Sequence, residues 1–459
     1  MSTKLLTQGS PTLLTVQIFH QGQWHDAAEL WIEYPVKGRC GPARLGYLIN
    51  YALEWLDRDD EHACSLRLPI ELMNTHQAPR WFAFLDDIMP AGASRRYWVT
   101  QLGIAALAEA EQDYALLAKG AIAPVGNLRI KEALPKRPAG STLAQQRFPL
   151  RDVVDRDSDF LAYAQQMGAA GGGATGAGGE APKLLLRCTP DDQVWIDTYQ
   201  DDPYNTDQHY LVKFPRGQRT QLDNDILRAE YHFYHELASL GMTTIDTQAM
   251  RLLEGERSPS LWLPRFDVGF SQGRRTLYGL ESVYSVMEQS PGSFLNHFAV
   301  IETLVKQLSQ QYRVREGGGY FDTARFVSEW VKRDLLNVAF ANSDNHGRNT
   351  ALLKTPQGIW LAPIFDFAPM KADPDGIIRT TTWGTPFEEG REFDWFAIAN
   401  NLHTYIPPEQ MMEELKALSA QLVGLKERLS ARGVPQALLA SKALGFDYLD
   451  DKLKRWGLL

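Results

Sequence analysis

Ala341-Asn342-Ser343-Asp344-Asn345-His346-Gly347-Arg348-Asn349 is the stretch on which the reading of this chain turns. An apolar, helix-like run (Trp330, Val331, Leu335, Leu336, Val338, Phe340) stops there. Polar or small residues follow, and an apolar strand-like segment begins at Ala351-Leu352-Leu353. Asp344 and Asn349 stand five apart, the spacing of the catalytic loop of phosphoryl-transfer enzymes. In such a loop the Asp orients, or accepts the proton of, the attacking hydroxyl, and the Asn supplies an oxygen to Mg²⁺. Asp366 lies seventeen residues on, inside Ala362-Pro363-Ile364-Phe365-Asp366-Phe367-Ala368-Pro369. A lone carboxylate at the end of an apolar strand suits a second Mg²⁺ ligand. The D-x4-N spacing alone also fits a solvated surface loop; the loop, hairpin and strand Asp together favour the catalytic reading.

The composition is that of a soluble globular chain, 44% apolar and 22% charged over 459 residues, a length that allows about three domain-sized units. A net charge of −9 argues against binding nucleic acid unaided, which calls for a basic footprint. Cys40, Cys64 and Cys188 are odd in number and lack C-x-x-C spacing, so reduced core thiols are expected rather than disulfides or a zinc site. No apolar run is long enough to span a membrane, and residues 1–8 lack a signal-peptide core, so a cytoplasmic protein is expected.

Upstream of the loop, residues 1–130 read as a small α+β module. Leu14, Val16 and Ile18 alternate, Gln21-Gly22-Gln23 turns, and Leu30-Trp31-Ile32 returns. Strands are expected at 45–49 and 65–70, a helix from Arg80 to Pro90, and a second helix capped by Ser94. A short helix and a strand over 113–130 close the module. Residues 131–155 begin with a Pro-, Lys- and Gln-rich run and read as a linker, so that a first catalytic lobe spans 156–267 and a helical lobe 268–459.

Within the first lobe, Met167 to Lys183 is glycine-rich and fits neither helix nor strand. It reads either as a flexible linker or, because a strand at Lys183–Arg187 follows at once, as a phosphate-cradling loop. Lys213 stands among apolar neighbours on a strand, where an ammonium needs an anionic partner or an escape to solvent. The following helix, capped by Asp223 or Asn224 and ended by Gly241, carries Glu230 near its apolar stripe as a candidate partner. Leu261-Trp262-Leu263-Pro264-Arg265-Phe266-Asp267 fits a hinge whose backbone meets adenine. Beyond residue 290 helices are expected at 294–312, 322–341 and 408–432.

These residues resemble the HipA family of bacterial serine/threonine kinase toxins. The resemblance rests on G-G-x-x-P-K (Gly178, Gly179, Pro182, Lys183), the strand Lys213, Arg265-Phe266-Asp267, S-D-N-H-G-R-N, F-D-F-A-P, and Ala123-Pro124-Val125-Gly126-Asn127-Leu128 in the module. It implies an α+β, two-lobed protein-kinase-like fold of the lipid-kinase branch, with ATP and Mg²⁺ as cofactors. Asp344 would be the catalytic base, Asn349 and Asp366 the metal ligands, and Lys213, with Glu230, the phosphate-binding pair. Gly178, Gly179, Lys183, Pro264, Arg265, Phe266, Asp267 and His346 would line the nucleotide. The implied acceptor is a cytoplasmic protein such as an aminoacyl-tRNA synthetase, and the implied partner a small helix-turn-helix antitoxin that supplies any DNA contact. The family's autophosphorylated serine falls on Gly176, leaving Thr175 as the loop's hydroxyl residue, and Glu180 adds a negative charge. A small-molecule kinase and an inactive kinase-like binding module are the alternatives.

Overall fold

Period-two alternation builds the first sheet. In the computed structural model, which describes residues 12–135, 145–167 and 182–459, β1 (Thr12–His20) and β2 (Gln23–Ile32) pair antiparallel from Thr12↔Ile32 to His20↔Gln23. Gln21 and Gly22 turn with φ of 52° and 82°, the doubly positive pair that a tight hairpin demands. With β3 (Ala43–Tyr47), β4 (His76–Ala78) and β5 (Leu128–Ile130) they form a five-stranded sheet in the order β4-β3-β2-β1-β5. Its core buries Val16, Ile18, Leu30 and Leu45 against Leu116 and Leu117 of the helix Glu109–Gly120.

Several expectations for this module are corrected. Residues 65–70 form only an isolated bridge, Ser65↔Leu68. Their polar groups are satisfied by Glu281 instead: Ser65 Oγ donates to it (2.5 Å) and the Leu66 amide to its other carboxylate oxygen (3.0 Å). The helix expected from Arg80 shrinks to Leu85–Ile88, because Trp81, Phe82 and Phe84 fill the core without helical spacing. Ser94 lies inside the helix Gly92–Gln101, whose N-cap is Ala91. Cys40 is exposed, whereas Cys64 and Cys188 are buried thiols.

The second sheet has six antiparallel strands in the order β10-β11-β9-β7-β8-β6. They are β6 (Phe148–Pro149), β7 (Lys183–Cys188), β8 (Gln193–Trp195), β9 (Gln208–Lys213), β10 (Arg251–Glu254) and β11 (Pro259–Pro264). The linker expected to reach 155 thus ends earlier. Phe148 packs its ring 4.8 Å from Tyr163, and the helix Leu150–Asp155 follows directly. The helix Gln221–Ser239 packs against β11. Thr220, rather than Asp223 or Asn224, caps it: its Oγ1 accepts from the Asp223 amide at 3.2 Å while Asp223 accepts the Thr220 amide at 2.8 Å, a reciprocal capping box.

The remainder is mainly helical. His297–Ser309, Thr323–Ala339, Pro408–Leu422 and Leu425–Arg432 surround a core that includes Val300, Leu304, Leu335, Leu415 and Leu429. Gly424, at φ 71°, divides the helix expected over 408–432. Phe233 of the helix Gln221–Ser239 belongs to this same core, so that helix joins the sheet to the helical unit.

Candidate active site

β7 and β9 are paired so that Lys183 stands directly opposite Lys213. Two like charges at opposed positions repel, and both side chains are buried. Acids from two other elements resolve the conflict. Lys213 Nζ donates to Glu230 Oε1 at 2.5 Å and to Asp366 Oδ1, and Lys183 Nζ lies 3.4 Å from Asp366 Oδ2. Burial works to lower the Lys213 pKa, but Asp366 and Glu230 outweigh it and hold it above the usual lysine value. Burial keeps Lys183 below that value even with Asp366 beside it. Burial alone would raise Asp366; the two ammonium groups hold it below the usual carboxylate range. The result is a buried cluster of two lysines and two carboxylates.

Tyr234 completes it. Its hydroxyl donates to Glu230 Oε1 (2.8 Å) and accepts from the Phe367 amide (3.3 Å). Glu230 and Tyr234 are one helical turn apart, and that spacing was the available sequence signal. Asp366 itself has φ 53°, a left-handed conformation that costs a non-glycine residue energy and aims its carboxylate between the lysines.

The loop 341–349 is fastened group by group. Ala341 turns out of the helix at φ 56°, and its carbonyl accepts the Lys371 amide at 3.1 Å. Asn342 Oδ1 accepts the Asp344 amide (3.2 Å), and Asn349 Nδ2 donates to the Asp344 carbonyl (2.8 Å). Asn345 ties the loop to Thr380 and Thr381, and Arg348 Nη2 donates to the Asp86 carbonyl of the first module (3.1 Å). Asp344 keeps its side chain 23% exposed. Asn349 Oδ1 is buried with no hydrogen-bond partner among the described residues.

An apolar pocket opens beside the cluster, walled by Leu211, Leu263, Phe266 and Phe365 and floored by Lys213 and Asp366. Pro264, Arg265 and Asp267 also line it, and so does Val125 from the first module. Asp267, however, uses its carboxylate on Arg265 (3.0 Å to Nε) and on the Gly126 amide (2.6 Å), which fixes the wall. His346 is not brought to this pocket. Its Nε2 lies 3.4 Å from Asp344 Oδ1, its ring stacks toward Tyr284, and burial lowers its pKa. Gly178, Gly179 and Thr175 lie outside the described residues, as do Gly176 and Glu180.

The HipA-like C-terminal domain matches residues 175–424, more than half of the chain, and the HipA N-terminal domain matches residues 38–131. The chain belongs to the HipA family. Toxin YjjJ of Escherichia coli (strain K12) is 27% identical over 217 residues, 46% of this chain and 42% of that relative, so the chain spans less than half the length of the curated relative it matches. A chain of the Shewanella oneidensis MR-1 toxin–antitoxin complex of HipA, HipB and its operator DNA superposes with a TM-score of 0.60 at 14% identity, covering 96% of this chain and 97% of that one. At that identity the HipA likeness concerns the fold.

Proposed function

We propose that this chain is a Mg²⁺/ATP-dependent kinase of two-lobed, lipid-kinase-like design that phosphorylates a serine or threonine of a protein. The observation that carries the reading is the pairing of Lys213 with both Glu230 and Asp366, with Lys213 and Asp366 at the floor of an apolar pocket. A further cleft brings Asp344 together with Lys183, Lys213 and Asp366. The pocket has the flat apolar walls an adenine needs, and Lys213 stands where a polyphosphate would enter. Asp344 accepts or orients the proton of the attacking hydroxyl, worth about 10²–10⁴ in rate.

Asn349 Oδ1 and the Asp366 carboxylate are hard oxygen donors, and the first is without a hydrogen-bond partner among the described residues, so this pair fits Mg²⁺. When bound, the ion neutralises charge on the phosphates. The chain's own contribution is positioning: Tyr234 and Glu230 hold Lys213, and Lys183 and Lys213 hold Asp366.

Family membership supports a toxin restrained by a small helix-turn-helix antitoxin, with DNA reached through that partner. The same membership makes an aminoacyl-tRNA synthetase or translation factor the first acceptor to try. Among the described residues no helix is long and apolar enough to cross a membrane, and we place the protein in the cytoplasm. The test is incubation of the purified chain, labelled ATP and Mg²⁺ with a lysate of its source cell. Label on a protein serine or threonine is expected; label confined to small molecules would replace this reading with a small-molecule kinase.

A further inference from the structure

A second cleft, of about 500 Å³, lies apart from the nucleotide pocket. Asn342 and Ser343 of the loop 341–349 stand in its wall. Lys371, Arg379, Arg391 and Lys452 converge on it, against Glu388 as the facing acid. Arg379 is already matched, by Asp334 (3.0 Å) and Glu388 (2.9 Å). Glu392, the acid whose charge acts on Lys452, is taken by Arg455 at 2.6 Å. Three cations therefore remain without an ion pair among the described residues: Lys371, Arg391 and Lys452. In a chain of net charge −9 this is a local excess of positive charge.

The cations are positioned by the fold. Lys371 follows Asp366 by five residues and is clamped to the start of the catalytic loop through its amide and the Ala341 carbonyl. Its ammonium is pushed down to about 8, by burial first and then by Lys452, Arg391 and Arg379, which shows how crowded the positive charge is. Two further groups await a partner. Ser343 is 2% exposed and its Oγ has no hydrogen-bond partner, and Arg379 Nη1 is likewise buried without one.

We infer that this cleft is the acceptor-docking site and that it takes an acidic peptide segment, with carboxylates next to the serine or threonine that Asp344 serves. The inference rests on the kinase reading for the word acceptor; the anion preference stands on the cleft alone. A half-open cleft with Ile377, Ile378 and Phe393 among its walls suits an extended peptide carrying apolar and acidic side chains. A nucleic-acid site would instead be an open basic stripe tracking a backbone.

The test measures binding to the full chain by fluorescence anisotropy, with Mg²⁺ and ATP present. The probes are a labelled short peptide with a central serine flanked by glutamates, the same peptide with lysines, and a labelled single-stranded oligonucleotide. The glutamate peptide should bind at least about tenfold tighter than the lysine peptide, and added salt should weaken it. The double variant Lys371→Gln/Lys452→Gln should lose about tenfold for the glutamate peptide while ATP affinity stays unchanged. Lys452→Glu, a second variant at an accessible side chain, should raise affinity for the lysine peptide. Equal affinity for both peptides, indifference to these substitutions, or preference for the oligonucleotide would overturn the inference. Tight binding of the glutamate peptide with no phosphate transferred to its serine would leave the cleft assignment standing and count against the kinase reading.

Discussion

Lys213 shows how one buried charge organises a site. On β9 it could be singled out from sequence, because an ammonium among apolar strand neighbours requires an acid. Glu230 was legible as that acid, but the second partner, Asp366, and the opposed Lys183 were not, because cross-strand register and a left-handed backbone leave no mark in local sequence. Lys213→Met removes the cation and leaves the buried Glu230 carboxylate with the Tyr234 hydroxyl but without its 2.5 Å ion pair. Stripping one member from a buried pair costs about 3 kcal/mol or more, so the denaturant midpoint should fall along with ATP binding. Adding Glu230→Gln should recover part of the stability and none of the binding. The two acids of the site should part ways. Asp344→Asn is expected to lower transfer by about 10²–10⁴ with ATP affinity within a few-fold. Asp366→Asn is expected to lower transfer by at least about 10² and to weaken Mg²⁺-dependent ATP binding. Titrating ATP and measuring single-turnover transfer for both variants checks the division, and identical behaviour would mean the roles are wrongly separated.

At the scale of elements, the loop 341–349 is the piece whose shape matters most, and Gly347 is its tightest point. A Cβ there would meet Leu295 Cδ1 and Tyr284 Cδ1 at 2.8 Å, and both neighbours are buried. Gly347→Ala must therefore displace the loop or these packed side chains. Overpacking of this kind costs about 1–3 kcal/mol, and a displacement near 1 Å costs about 10² in rate. The expected outcome is a modest drop in thermal stability with a much larger drop in transfer; wild-type turnover would show that the loop is looser than its hydrogen bonds imply. Long periodic elements were legible. The helix Thr323–Ala339 and the hairpin β1–β2 follow from spacing alone. The misreadings share one cause. Residues 65–70 and 80–90 alternate or cluster like strands and helices, yet Leu66, Trp81 and Phe84 answer to neighbours distant in the chain, and tertiary burial overrode the local pattern. The antiparallel sheet and the helical unit could be foreseen; the way Val125 and Gly126 close the wall of the apolar pocket could not, because nothing near them in sequence points to Asp267.

At the scale of the molecule, the first module is bolted to the catalytic half by buried polar contacts. Glu281 accepts from Ser65 and Leu66 of the module and pairs with Lys354 at 3.2 Å, Arg313 reaches Glu61 at 2.6 Å, and Arg348 of the catalytic loop reaches the Asp86 carbonyl. Such contacts make the module part of the site's rigidity. One of them titrates. Asp87 accepts the Ser282 amide at 2.8 Å, and burial pushes its pKa up to about 7, with Glu281 adding to the rise and Ser282 and Arg348 opposing it. The folded value lies above the unfolded one, so below the unfolded value near 4 the contact is at full strength. Between about 4 and 7 the unfolded chain has released the proton that the folded chain still holds, and stability falls as pH rises, by ~4 kcal/mol in all. Above 7 the loss is complete and the pH dependence from this group ends. Asp87→Asn keeps an oxygen for the Ser282 amide and has no charge to bury, so this slope should vanish from the variant. Urea midpoints of both proteins measured from pH 4.5 to 8 decide the matter. The variant should gain on the wild type steadily with rising pH up to about 7 and hold that gain above it. A difference that stays constant with pH would mean that Asp87 is ionised throughout, held by Arg348, and that the module docks through charge rather than through a buried proton.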